Sequence, residues 1–203
     1  MIHIIDYGLG NLGSIKNMLK KIGYDSTIIA NPDDLKKSTK IILPGVGAFD
    51  TGIKNLTDGG WIEPLSKKVL VEKVPTLGIC LGMQLMCKNS EEGVLPGLAW
   101  VNAEVKKFNF ESTSLKIPHM GWNDVFSAKN SKLTQDDFTE RRFYFVHSYY
   151  VTVANQDQVL FSTNYGSQFN SAFEKDNIIG VQFHPEKSHK FGLSLLKNFI
   201  EKY

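Results

Sequence analysis

The chain has 203 residues, 42% of them hydrophobic and 22% charged, and its 23 basic against 21 acidic side chains leave a net charge of +2. This composition supports a packed core and excludes disorder as the main state. The charge balance offers no concentrated basic face for nucleic acid, and no apolar run approaches the length that spans a bilayer.

The length fits one domain over 1–203. Asp6 interrupts the apolar start where an export signal needs apolar residues, so the expected location is the cytoplasm. The two cysteines, Cys80 and Cys87, would be about 10 Å apart along one helix, too far for a disulfide. Free thiols fit a reducing compartment.

In chain order, 2–5 is a short apolar run that predicts a strand, followed by the glycine-rich turn Tyr7-Gly8-Leu9-Gly10-Asn11. Ile15, Met18, Leu19 and Ile22 form the stripe of an amphipathic helix, with Gly23 as its stop. Strands are expected at 27–30 and 41–43, helices at 49–57 and 63–72, and a buried strand at 76–80 running into a helix over 83–86. This alternation predicts an α/β fold with an open, mostly parallel, flavodoxin-like sheet and helices on both faces. From about residue 98 the pattern changes: 101–110, 143–153, 159–163 and 178–183 read as strands with little helix between them. They are expected as antiparallel additions to the sheet. A helix over 190–202 closes the chain, and 129–142 is its most loop-like stretch.

The sharpest chemical signal is Gly78-Ile79-Cys80-Leu81-Gly82. A nucleophile between two glycines, after a buried strand and before a helix, has the form of a nucleophile elbow. Glycine removes the Cβ atoms that would collide in so tight a turn. The helix start behind the sulfur would favour a thiolate and present the Leu81 N–H to an oxyanion. The competing reading is a small buried hydrophobe. Among five histidines, His184 stands out, because Pro185 biases it toward extended geometry and Glu186 then projects to the same side. A carboxylate there can fix the imidazole tautomer and support its protonated form. A metal site is disfavoured, since no third and fourth ligand have recognisable spacing. His3 reads as packing.

Together, Gly78-Ile79-Cys80-Leu81-Gly82-Met83-Gln84 and Gln182-Phe183-His184-Pro185-Glu186 resemble the class I glutamine amidotransferases, cysteine-triad enzymes that release ammonia from glutamine. The resemblance implies a triad of Cys80, His184 and Glu186, and glutamine contacts from Gly47, Gln84, His147, Ser148 and Tyr149. It implies neither metal nor cofactor. Asp6-Tyr7-Gly8-Leu9-Gly10-Asn11, Leu43-Pro44-Gly45-Val46-Gly47, Pro118-His119-Met120-Gly121-Trp122-Asn123, Phe145-Val146-His147-Ser148-Tyr149-Tyr150 and Lys187-Ser188 are similar to the branch that serves imidazole glycerol phosphate synthases. Other branches commonly have a Gly-Gly-Pro-Gly type loop where this chain has Pro-Gly-Val-Gly.

That resemblance implies a heterodimer with a cyclase/synthase subunit, which would use the ammonia to make imidazole glycerol phosphate and AICAR in histidine biosynthesis. The docking face would include Asn11, Met120, Trp122, Tyr149 and Lys187; the other reading of Met120 and Trp122 is core. A related offshoot feeds ammonia to an N-acetyl-sugar amidotransferase in surface-polysaccharide synthesis. Leu95-Pro96-Gly97-Leu98-Ala99-Trp100 and His189-Lys190-Phe191-Gly192 resemble it, and the triad is common to both. A stand-alone cysteine hydrolase and a catalytically silent binding module are the remaining readings. The second oxyanion donor is expected from the Gly45–Val46 loop. Its peptide, flexible between Gly45 and Gly47, would turn either a carbonyl or the Val46 N–H toward the site.

Overall fold

A computed structural model describes residues 1–110 and 115–203. The first apolar run forms strand β1, Ile2–Ile5, and the stripe from Ile15 forms helix α1, Leu12–Lys21, which ends as Gly23 takes a φ of +89°. Strand β2, Ser26–Ile29, lies one residue earlier than expected, and β3 covers Lys40–Leu43. Helices α2, Phe49–Asp58, and α3, Ile62–Ser66, follow. The helix expected over 63–72 widens after Ser66 into a π turn, Lys67–Val71. There the Glu72 N–H reaches back five residues to the Lys67 carbonyl at 3.0 Å, and Val69 is buried. Strand β4, Thr76–Ile79, runs into a short helix α4, Leu81–Leu85, two residues earlier than 83–86.

The second half is strand-rich, with β5 at Asn89–Ser90, β6 at Ala103–Lys107, β7 at His119–Ser127, β8 at Arg141–His147 and β9 at Tyr149–Val153. Then come β10 at Val159–Tyr165, β11 at Ser167–Lys175, β12 at Ile178–Val181 and the final helix α5 at His189–Lys202. The single strand expected over 143–153 is two strands broken at Ser148, because β8 pairs with β7 while β9 pairs with β6. Strands β7 and β11 carry too many polar residues for their apolar alternation to stand out, and sequence reading misses both. The 129–142 stretch is irregular apart from a 3₁₀ turn, Lys132–Thr134, whose Leu133 is nonetheless core, and its last two residues, which begin β8.

The sheet runs β2-β1-β3-β4-β12-β11-β10-β7-β8. Its first five strands are mutually parallel, and the rest are antiparallel. Strands β6 and β9 form an arm that touches β11 at Asn170 and Val151. Strands β4 and β12 are buried at every residue, as central strands covered on both faces must be. Phe49 and Leu56 from α2, Trp61 just before α3 and Leu65 from α3 pack on one face; Ile15, Leu19, Leu195 and Phe199 from α1 and α5 pack on the other. Because the central strands run the same way, the segments after β3, β4 and β12 leave the sheet at one edge. Open α/β sheets bind their ligands at that edge.

Candidate active site

At the end of β4 the chain turns sharply. Cys80 has φ +53° and ψ −110°, a left-handed conformation that is strained for a residue with a Cβ. Its N–H donates to the Val181 carbonyl at 2.8 Å, tying the elbow to β12. Both flanking glycines are required. A Cβ on Gly82 would sit 1.8 Å from the Leu43 carbonyl oxygen, and one on Gly78 would sit 2.8 Å from the Gly82 carbonyl oxygen. Helix α4 is only five residues long, so its dipole is a weak source of stabilisation for a thiolate. The donor found at the sulfur is instead the buried Gln182 side chain, whose Nε2 lies 3.7 Å from Sγ.

His184 follows β12, and its N–H donates to the Tyr144 carbonyl of β8 at 2.9 Å. His184 and Glu186 meet, but not across the extended segment expected from sequence: Pro185–Lys187 is a 3₁₀ turn that curls the carboxylate back. His184 Nδ1 lies 2.8 Å from Glu186 Oε1, with both side chains almost fully buried. Helix α5 closes over this turn, and a Cβ on Gly192 would lie 1.8 Å from the Pro185 carbonyl oxygen. Burial works against charge on the imidazole, but hydrogen bonding and charge from Cys80 and Glu186 outweigh it and raise the His184 pKa to about 10. Nε2 has no hydrogen-bond partner of ordinary geometry among the described residues, although Cys80 is near enough to act on the ring. A buried, protonated imidazole with one nitrogen held by carboxylate and the other open beside a thiol is built to move a proton.

Cys80 and His184 share one cavity of about 320 Å³. Of the residues expected from sequence, Val46, Gly47, Leu81, Gln84, His147, Ser148 and Tyr149 line it as well. Glu186 lies behind His184. Gly45 lies behind Leu81, where its carbonyl accepts the Leu81 N–H at 3.3 Å. The Leu81 N–H, which the sequence expects to face an oxyanion, is therefore occupied by a loop carbonyl, one of the two peptide orientations expected for Gly45–Val46. The Tyr7 hydroxyl braces this loop by donating to the Pro44 carbonyl at 2.7 Å. Gly47, at φ +122°, has a conformation that few other residues adopt.

Sequence reading misses two polar residues here. Glu92 lines the cavity while its Oε2 accepts the Phe49 N–H at 2.9 Å, which leaves a carboxylate able to attract an ammonium group. No residue pattern around Glu92 marks it. Gln182 lies two residues before the His-Pro-Glu motif, yet only its packing against Cys80 distinguishes it from a buried strand end. Outside the cavity, Met120 and Trp122 are exposed on β7 and are not core. Trp122 stacks on His189 with ring centres 5.5 Å apart, and Lys187 lies 5.5 Å from the centre of the Tyr144 ring. Met120 is opposite Val146, and Trp122 is opposite Tyr144. Asn11 is exposed at the N-cap position of α1. His3 is buried with Nδ1 2.7 Å from Ser38 Oγ. No helix among the described residues is long and apolar enough to cross a membrane.

The family model of the class-I glutamine amidotransferases matches residues 3–203. The chain is 57% identical to imidazole glycerol phosphate synthase subunit HisH 2 of Methanococcus maripaludis over 203 residues, covering all of both chains. It is 44% identical to the protein of that name from Pseudomonas aeruginosa, over 99% of each. A solved glutamine amidotransferase superposes with a TM-score of 0.76 over 98% of this chain and 97% of its own, at 18% identity, a likeness of fold. An elbow cysteine, a histidine–glutamate pair and this full-length match agree: the chain belongs to the class I glutamine amidotransferases.

Proposed function

We propose that the chain is the glutaminase subunit of an imidazole glycerol phosphate synthase, a single amidotransferase domain over 1–203 that works in the cytoplasm with a cyclase/synthase partner. The observation that carries its chemistry is that Cys80 and His184, about a hundred residues apart in sequence, line one cavity with Glu186 bonded behind. The full-length identity to proteins named for that synthase supports the branch.

In this reading glutamine enters the cavity with its α-ammonium toward Glu92. Gly47, Gln84, His147, Ser148 and Tyr149 hold the rest of the substrate. The Cys80 thiolate attacks the side-chain amide carbon, and the C–N bond breaks as His184 gives its proton to departing ammonia. His184 then takes a proton from water, whose oxygen displaces the sulfur and releases glutamate. Glu186 orients the ring and supports its charge. The sum is glutamine plus water to glutamate plus ammonia, and the ammonia passes to the partner for imidazole glycerol phosphate and AICAR formation. Asn11, Met120, Trp122, Tyr149 and Lys187 form the docking face.

The Gly45 carbonyl on the Leu81 N–H makes the free chain a poor glutaminase. Rotation of the Gly45–Val46 peptide would withdraw that carbonyl and offer the Val46 N–H, giving the oxyanion two donors. One such donor is worth about a hundred- to thousandfold in turnover. The experiment measures glutamate release by the chain alone, with the synthase partner, and with partner plus acceptor ligand, expecting a rise at each step. Full activity alone would sink the switch. Absence of glutamate release in every arm would sink the glutaminase reading, and stimulation only by an N-acetyl-sugar amidotransferase would reassign the partner.

A further inference from the structure

Behind the cavity wall runs a buried polar chain that the hydrolysis above does not use. Asn123 Nδ2 donates to the Asn164 carbonyl at 2.9 Å and lies 3.2 Å from His119 Nε2. His119 Nδ1 is 2.9 Å from His147 Nε2, and His147 Nδ1 is 2.7 Å from the Tyr149 carbonyl. Gln84 Nε2 donates to that same carbonyl at 3.3 Å and to Gln182 Oε1 at 3.0 Å. Gln182 Nε2 in turn reaches the Cys80 sulfur. His119, His147, Gln84 and Gln182 are all buried.

The protons of this chain have one consistent arrangement. Asn123 Oδ1 accepts the Asp124 N–H at 2.8 Å, which fixes the amide with its nitrogen toward His119. That nitrogen only donates, so His119 Nε2 must accept. At the other end the Tyr149 carbonyl only accepts, so His147 Nδ1 must carry a hydrogen. The hydrogen between the rings therefore belongs to His119 Nδ1 and is accepted by His147 Nε2. A proton added to either ring would set two donors face to face. Burial acts in the same direction and, as the leading cause for each ring, lowers His119 to about 4 and His147 to about 3.

We propose that this chain is a positioning device for the glutamine cavity. It holds both histidines as neutral Nδ1–H tautomers, locks the Tyr149 carbonyl, and through Gln84 aims the Gln182 amide at the Cys80 sulfur. His119 is its central positioning residue. The proposal rests on the glutaminase reading for what the cavity binds, but the proton arrangement stands on geometry alone. The anchor of the chain lies on β7, whose other face presents Met120 and Trp122. One strand thus both orders the cavity wall and offers the docking face.

The first arm of the test is nitrogen-15 NMR of the histidine rings in the wild-type chain. Neutral imidazole in water favours Nε2–H, so Nδ1–H at both His119 and His147, unchanged between pH 7.5 and 6, is the expected and distinctive result. Nε2–H at either ring overturns the proposal. The second arm measures glutamine kinetics with the partner present for His119→Phe and His119→Asn. Phenylalanine keeps the ring stacks on Tyr165 and Phe145 but leaves His147 Nε2 without a donor, whereas asparagine restores an N–H near the old Nδ1. The expected outcome is a KM about tenfold higher for His119→Phe with kcat changed by less than about threefold, and rescue by His119→Asn. A His119→Phe KM within twofold of wild type, or equal impairment in the two variants, overturns it. If His119→Phe does not fold, the ring spectra and the KM of His119→Asn decide. Wild-type chain that releases no glutamate with its partner while showing both Nδ1–H signals would fault the glutaminase reading and leave the tautomer assignment standing.

Discussion

Lowering the pH from 7 to 5 should cost this protein a large part of its stability before its carboxylates titrate. Burial holds His119 near pKa 4 and His147 near 3, against an ordinary value of 6.5 for each. The unfolded chain therefore binds two protons below pH 6.5 that the folded chain refuses. For a depressed histidine the stabilisation is complete above 6.5 and is lost as pH falls, at about 1.4 kcal/mol per pH unit for each group. Two groups over 1.5 pH units give about 4 kcal/mol, a sizeable share of the 5–15 kcal/mol that holds an ordinary domain together. His3, lowered by burial and then by the N-terminal charge, pulls the same way. His184 has the opposite sign, with its pKa raised to about 10. Its contribution is complete below 6.5 and is lost as pH climbs through 10, so it does nothing to the acid limb. The assay is urea unfolding at several values between pH 7.5 and 5, on wild type and on His119→Phe. The slope of stability against pH should fall by about half in the variant. A wild-type unfolding free energy that stays level across this range, or a variant with the wild-type slope, would refute the burial of two neutral histidines.

The remaining predictions concern the elbow and the docking face. Cys80→Ala should abolish glutamate release and leave the unfolding midpoint within a few degrees, because the thiol faces the cavity. Cys87→Ala should retain activity within about twofold and cost about 1 kcal/mol of stability from a small core cavity, since Cys87 is fully buried with its thiol 3.7 Å from the Met83 carbonyl; loss of activity in this variant alone would contradict the triad. Gly82→Ala drives a Cβ into the Leu43 carbonyl, so the elbow must open and glutamine hydrolysis should fall at least about a hundredfold; a near-normal rate would show that the elbow tolerates displacement. Trp122→Ala should weaken partner binding by about 2 kcal/mol, about thirtyfold in Kd by calorimetry, with the isolated chain as stable as before, because the indole is 41% exposed. Unchanged affinity would move the interface elsewhere.

The sequence by itself determined the parts of this protein that depend on neighbours in the chain. The strand–helix alternation of the first half was legible because each element buries one stripe or a whole run, and Gly78 and Gly82 marked the elbow because only glycine fits a turn that close to β3 and α4. The His-Pro-Glu order likewise announced a supported imidazole, although its 3₁₀ turn was not foreseen. What only the tertiary structure decided are relations between segments remote in the chain. Strands β7 and β11 take their form from the strands they pair with and not from their own apolar pattern, which is why neither was visible. The break at Ser148 exists because β8 and β9 pair with different neighbours, and that break turns the Tyr149 carbonyl to meet both His147 and Gln84. Glu92 and Gln182 are ordinary polar residues in sequence and became part of the site only when α2, α4 and β12 brought them to the sheet edge beside Cys80. Local residue chemistry specifies turns and stripes, but a buried hydrogen bond is made by two distant segments at once, and neither segment alone carries its record.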